Sequence, residues 1–172
     1  ISPIFSDPTK IAVISFQNEA YQLNIQATGS VTISDSALSG AAIAGQPEHA
    51  PKIVVAEGGQ LELRGTEISN FVSSKLFYLI KSAKAAAISL IEVEVNSCDN
   101  ALLLSSQNDT SVTLTSSFFS ELTLGQGGIH DGFISLQDYS YDYIFEDWYF
   151  VGITTSTPLL RLEATQDYDV EL

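Results

Sequence analysis

The chain has 172 residues, about one domain with enough length for a sizeable core, and its 45% hydrophobic and 16% charged content excludes a disordered tail. Twenty-one acidic residues against seven basic ones leave a net charge of −14, which repels nucleic-acid phosphates and anionic lipid surfaces. No apolar run approaches the ~18 residues of a membrane span, and a lone cysteine, Cys98, excludes an internal disulfide.

In chain order, residues 1–10 read as an irregular arm carrying Pro3 and Pro8. The opening Ile1-Ser2-Pro3, without an initiator Met, is expected of a processed chain or of a piece of something longer. From residue 11 onward a single rhythm takes over. Leu23 and Ile25 fall in a strand of an opening coil, and five segments then share one pattern. Each has two alternating apolar residues and a third apolar residue seven positions after the first. They are Val31, Ile33 and Leu38; Leu61, Leu63 and Ile68; Ile88, Leu90 and Val95; Val112, Leu114 and Phe119; Tyr143, Phe145 and Phe150. Thr, Glu or Ser separates the alternating pair in the first four, as in a half-buried strand, whereas Ile144 fills that slot in the fifth. Small or polar residues such as Asp35-Ser36, Gly65-Thr66 and Ser116 follow, as a bend requires.

A second apolar block recurs within each unit, at residues 53–55, 77–80, 102–104, 133–136 and 159–162. Short connections, 56–60, 81–87, 105–111 and 137–142, lead from it to the next unit, so one corner is tight. Glycine-containing stretches at 40–52 and 123–132 vary in length, as loops on the outside of a coil do. The seven-residue offset, repeated every 24–31 residues, favours a solenoid over a β-sandwich, whose hairpins would show more turns like Asp131-Gly132. The equivalent residues should stack in internal columns about 4.8 Å apart, with Asn70 and Asn96 placed to bond between coils, the alternative being solvent-exposed turn residues.

The segments Val31 to Gly40, Leu61 to Asn70 and Val112 to Glu121 resemble rungs of the pectin-lyase-like superfamily, more in the manner of large surface adhesins than of compact enzymes. The resemblance implies a right-handed single-stranded parallel β-helix of about five to six coils over residues 11–172, continuing beyond Leu172 or into a neighbouring subunit. It implies a fold and not a chemistry, since the superfamily holds polysaccharide lyases, glycosidases, adhesins and structural repeats.

Few residues suggest chemistry. Arg64 and Arg161 lie on different coils away from any recognisable acidic motif, and the glycosidase patterns of the superfamily are missing. Gly128-Ile-His-Asp-Gly132 reads as a turn, because no nucleophile accompanies the His-Asp pair. His49 is expected in solvent, and Cys98 as a small buried hydrophobe. No catalytic residue is assigned. Between 131 and 172 nine acids face one base, and Gln137-Asp138-Tyr139 recurs as Gln166-Asp167-Tyr168. Asp138 and Asp167 are therefore candidate calcium ligands, the alternative being a solvated acidic face. Trp148 and Tyr149 are candidate contacts for sugar rings, the alternative being structural aromatics at a bend. Asn108-Asp109-Thr110 is an N-glycosylation sequon, so Asn108 should face solvent.

Two functions follow as expectations. The first is a non-catalytic extracellular structural or adhesive solenoid, such as one subunit of a filament, partnered by like subunits or further β-helical chain at its ends. The second is a carbohydrate-active enzyme, a lyase or glycoside hydrolase, or a sugar-binding module on the same fold.

Overall fold

The computed structural model describes residues 12–16, 22–40, 51–128, 131–137 and 143–163. The candidate ligands Asp138 and Asp167, both histidines, the arm at 1–10 and the terminal segment at 164–172 lie outside them. Among the described residues every element is a strand, and the strands wind as a parallel β-solenoid of about five turns. Strands β1 (Ala12–Phe16) and β2 (Leu23–Ile25) open it. Next come β3 (Ser30–Ser34), β4 (Ser36–Gly40) and β5 (Ile53–Val55), then β6 (Gln60–Arg64), β7 (Glu67–Ser69) and β8 (Val72–Ser82). The third turn holds β9 (Ala87–Ile91) and β10 (Glu94–Ser106), the fourth β11 (Ser111–Thr115), β12 (Phe118–Leu124) and β13 (Ile134–Gln137). The last holds β14 (Tyr143–Glu146), β15 (Tyr149–Val151), β16 (Thr154–Thr155) and β17 (Leu160–Glu163).

Each turn has three faces, within the two or three short strands per unit that the sequence pattern suggests. The first face stacks β3, β6, β9, β11 and β14. The second stacks β1, β4, β7, the start of β10, β12 and β15. The third stacks β2, β5, the end of β8, the end of β10, β13 and β17. The expected columns form in register. Val31, Leu61, Ile88, Val112 and Tyr143 pair in succession on the first face. Leu38, Ile68, Val95, Phe119 and Phe150 do so on the second. Leu63, Leu90, Leu114, Val95 and Phe119 are wholly buried, each such side chain contributing on the order of 1.5–3 kcal/mol of burial.

The corners explain why a five-residue strand ends and a new face begins. Asp35, Gly65, Glu92, Ser116 and Asp147 all have φ between 47° and 55°, the left-handed conformation that folds a chain sharply without breaking its pairing. Their amides continue the inter-coil ladder: Asp35 N donates to Arg64 O and Gly65 N to Ile91 O, both at 3.0 Å. Behind them, Ser36 Oγ, Thr66 Oγ1 and Ser117 Oγ donate to the carbonyls of Ser34, Arg64 and Thr115, which closes the bend with the polar residue the sequence supplies there. A second left-handed column, Asn70, Ser97, Glu121 and Gly152, ends the second face. A third, Thr28, Gly58, Ala85 and Asp109, marks the tight corner before the first face. Gly65 takes the same left-handed φ as the other residues of this column, and a Cβ there would lie 2.8 Å from Asp35 Oδ1, so a side chain at 65 would turn the Asp35 carboxylate aside.

The interior becomes aromatic toward the last turn. Phe119 stacks on Phe150 with centroids 4.8 Å apart and meets Phe133 edge-on at 5.3 Å. At the other end a cavity of about 240 Å³ opens among Ile14, Phe16, Leu23, Ile33 and Leu38.

Candidate functional site

The tight corner places the sequon. Residues 107–110 turn between β10 and β11, and Asn108 is exposed. Its carbonyl accepts a hydrogen bond from Ala85 N of the preceding corner at 3.0 Å. Thr110, two residues on, is completely buried, and its hydroxyl donates to Ala83 O at 3.2 Å. The Asn and the Thr of one triplet thus face opposite environments.

On the second face, Glu67 and Glu94 are direct neighbours in adjacent strands. Like charges at sheet spacing repel, and Asn96 relieves this by directing its amide at both carboxylates, each at 3.3 Å. Asn96 therefore does bridge coils. Asn70 does not: its amide donates to Ser69 Oγ of its own coil at 3.2 Å, because a left-handed backbone turns it toward its neighbour. One coil further, Ser97 Oγ donates to Glu121 Oε2 at 3.1 Å. Both arginines pair along their own strands, Arg64 with Glu62 at 3.1 Å and Arg161 with Glu163 at 2.7 Å.

The longer connections between the second and third faces hold the densest polar network. Tyr78 Oη donates to Asp131 Oδ1 at 3.3 Å and shares a 2.9 Å hydrogen bond with Ser135 Oγ across the intervening β10. Asp131 Oδ2 accepts from Gly128 N at 2.7 Å. Burial raises the Tyr78 hydroxyl above its usual range, opposed by the bonds from Ser135 and Gly132. Ser135 is buried and joined to Tyr78 and to the Gly132 carbonyl, so this cluster ties the chain around Asp131 to the third face.

Beside it, Asn100 adopts a left-handed φ of 56° where β10 bulges against β8. Its amide donates to Ser73 O at 2.8 Å and its side-chain oxygen accepts from Gly125 N at 2.8 Å, so one side chain spans three successive coils. Thr157 extends the series, donating to Gly125 O at 2.6 Å and accepting from Gly127 N at 3.0 Å. Neither Asn100 nor Thr157 was singled out in the sequence. The available signal was an Asn between the apolar runs of a strand block, and a Thr directly before Pro158.

The two candidate sugar-contacting rings part company. Trp148 turns inward at the corner, stacked on Phe145 at 5.3 Å and edge-on to Phe150 at 5.4 Å. Tyr149 points outward on β15, 53% exposed, beside Phe118 of β12. Cys98 is fully buried between Phe71 and Leu122 in sequence-equivalent positions, its thiol donating to Asn96 O at 3.1 Å. Burial pushes that thiol up to about 11. Among the described residues no three His, Cys, Asp or Glu side chains gather as a metal site, and no helix is long and apolar enough to cross a membrane.

Compared with protein-family models, with curated proteins and with solved structures, the chain matches none.

Proposed function

We propose that this chain is a non-catalytic structural or adhesive module on the outside of a cell, a β-solenoid whose ends join further β-helical chain or like subunits. One observation carries the reading. The well-exposed large apolar side chains among the described residues are Val13, Ile14, Ile144, Tyr149, Val151 and Leu162, and all six lie on the first or last rung. Ile14 and Leu162 continue internal columns, aligned with Leu38 and Leu136, and a column end is apolar surface that a following coil would bury. Strand β1 carries backbone groups that a further parallel strand would satisfy. A head-to-tail contact of this kind propagates into a filament unless its rotation closes. The resemblance of the rungs to those of surface adhesins agrees with this role, as does the pairing of both arginines within their own strands, away from a catalytic carboxylate cluster.

Light scattering across a concentration series, with electron microscopy of the concentrated sample, tests the reading. Growth of linear assemblies with concentration is expected if like subunits join the ends, and a monomer that persists at high concentration contradicts that form of the proposal. A sugar-binding module is the second reading, favoured by the exposed Tyr149 beside Phe118 on one sheet face. A screen against polysaccharides separates the two: specific binding lost in Tyr149→Ala would select the second.

A further inference from the structure

We infer that Asn108 accepts an N-linked glycan only while the chain is still unfolded, because folding buries the hydroxyl that completes the sequon. This rests on the extracellular reading above, and it adds when and in which state the modification occurs.

The acceptor motif is read through two groups, the Asn amide and the hydroxyl two residues later. In the folded solenoid these are separated. Asn108 is exposed in the folded chain. Thr110 is completely buried, and its hydroxyl is spent on Ala83 O of the preceding corner. A modifying enzyme would therefore have to lift the corner at 107–110 to reach it. That corner leads into a strand that is interior to the stack. Ala85 N bonds to Asn108 O, Ser111 N bonds to Ala86 O, and β11 is paired on both sides, with β9 and β14. Asp109, at φ 60°, also holds the triplet in a tight left-handed turn. Opening it disrupts a ladder shared by three coils, an excursion drawn from the stable end of the structure and not from its frayed ends.

The transfer itself balances simply. A lipid-linked oligosaccharide is the co-reactant. A bond forms between Asn108 Nδ2 and the anomeric carbon, the bond from that carbon to the pyrophosphate oxygen breaks, the lipid pyrophosphate leaves, and the amide proton passes to the enzyme's base.

The test uses purified oligosaccharyltransferase and a lipid-linked oligosaccharide, with mass analysis of the Asn108 peptide as readout. Because every component is supplied, the result does not depend on where the chain resides or whether it assembles, so failure here is distinct from failure of the structural reading. The full chain is offered folded, freshly diluted from urea, and as Ile68→Asp, which carries a charge in an internal column. Modification in the two unfolded presentations should exceed that of the folded chain by more than about tenfold. Thr110→Val, freshly diluted from urea, should lose it. Equal modification of the folded chain overturns the inference, as does a modified Thr110→Val. No modification in any presentation removes Asn108 as an acceptor.

Discussion

Ser82 and Ser106 sit where an internal column should be apolar. Ser82 pairs with Val55 on one side and Ser106 with Leu136 on the other, and the pairing of Lys81 with Ser105 sets the two serines beside each other. They are 3% and 0% exposed, and neither hydroxyl has a hydrogen-bond partner among the described residues. An unsatisfied buried hydroxyl costs about 1–3 kcal/mol. Removing the oxygen also leaves a small void, at about 24 cal/mol per Å³ a few tenths of a kcal/mol for one atom's volume. Ser106→Ala should therefore stabilise the fold by about 1 kcal/mol, a rise in Tm of roughly 2–4 °C for a chain of this size. Ser82→Ala should act in the same direction, and the double variant should depart from additivity because the side chains are neighbours. Urea unfolding followed by circular dichroism measures this, with an unchanged m-value required for the comparison. A loss of 1 kcal/mol or more in Ser106→Ala would refute the reasoning, since it would mean that the hydroxyl is satisfied in the native state.

Gly40→Ala should destabilise by about 1–3 kcal/mol through overpacking, because its Cβ would lie 2.5 Å from Phe71 Cδ1 and 2.8 Å from Phe71 Cα; thermal melts check it. Asn100→Ala strands Ser73 O and Gly125 N, two groups now bonded at 2.8 Å, and should cost about 2–4 kcal/mol at 1–2 kcal/mol for each group, read by urea midpoint. The Cys98 thiol, held up to about 11 by burial, binds its proton more tightly folded than unfolded. Its contribution is therefore intact below the ordinary thiol pKa of about 8.5 and is lost as pH rises toward 11. Stability measured from pH 8 to 11 should fall less steeply in Cys98→Ala than in the parent chain, and an identical slope would contradict the assignment.

The columns were legible because they are a local repeat: a two-residue alternation followed by an apolar residue at a fixed offset survives in every turn from Val31 to Phe150. The third face was legible as the second apolar block at 53–55, 77–80, 102–104, 133–136 and 159–162; its entry was not, because it depends on corners such as Ser97 and Glu121, residue types that rarely take a left-handed φ. Asn96 was found and Asn100 was not, for a related reason. Asn96 follows an apolar residue at a recognisable corner, whereas Asn100 works only because a bulge against β8 aims it at coils on both sides. The Tyr78, Asp131 and Ser135 cluster joins residues 53 and 57 positions apart across an intervening strand, a contact that no short motif encodes. Trp148 and Tyr149 differ by one position and point to opposite environments, so only the placement of the corner at Asp147 separates them.

The most direct measurement of the proposed role is amide hydrogen exchange at the two end rungs as a function of concentration. In dilute monomer, amides of β1 (Ala12–Phe16) and β17 (Leu160–Glu163) that point away from the stack should exchange fast, while those of β9 and β11 stay protected. As concentration rises, protection should appear at both ends together, since one head-to-tail contact buries both. End strands already protected in a dilute, non-associating monomer would contradict the account.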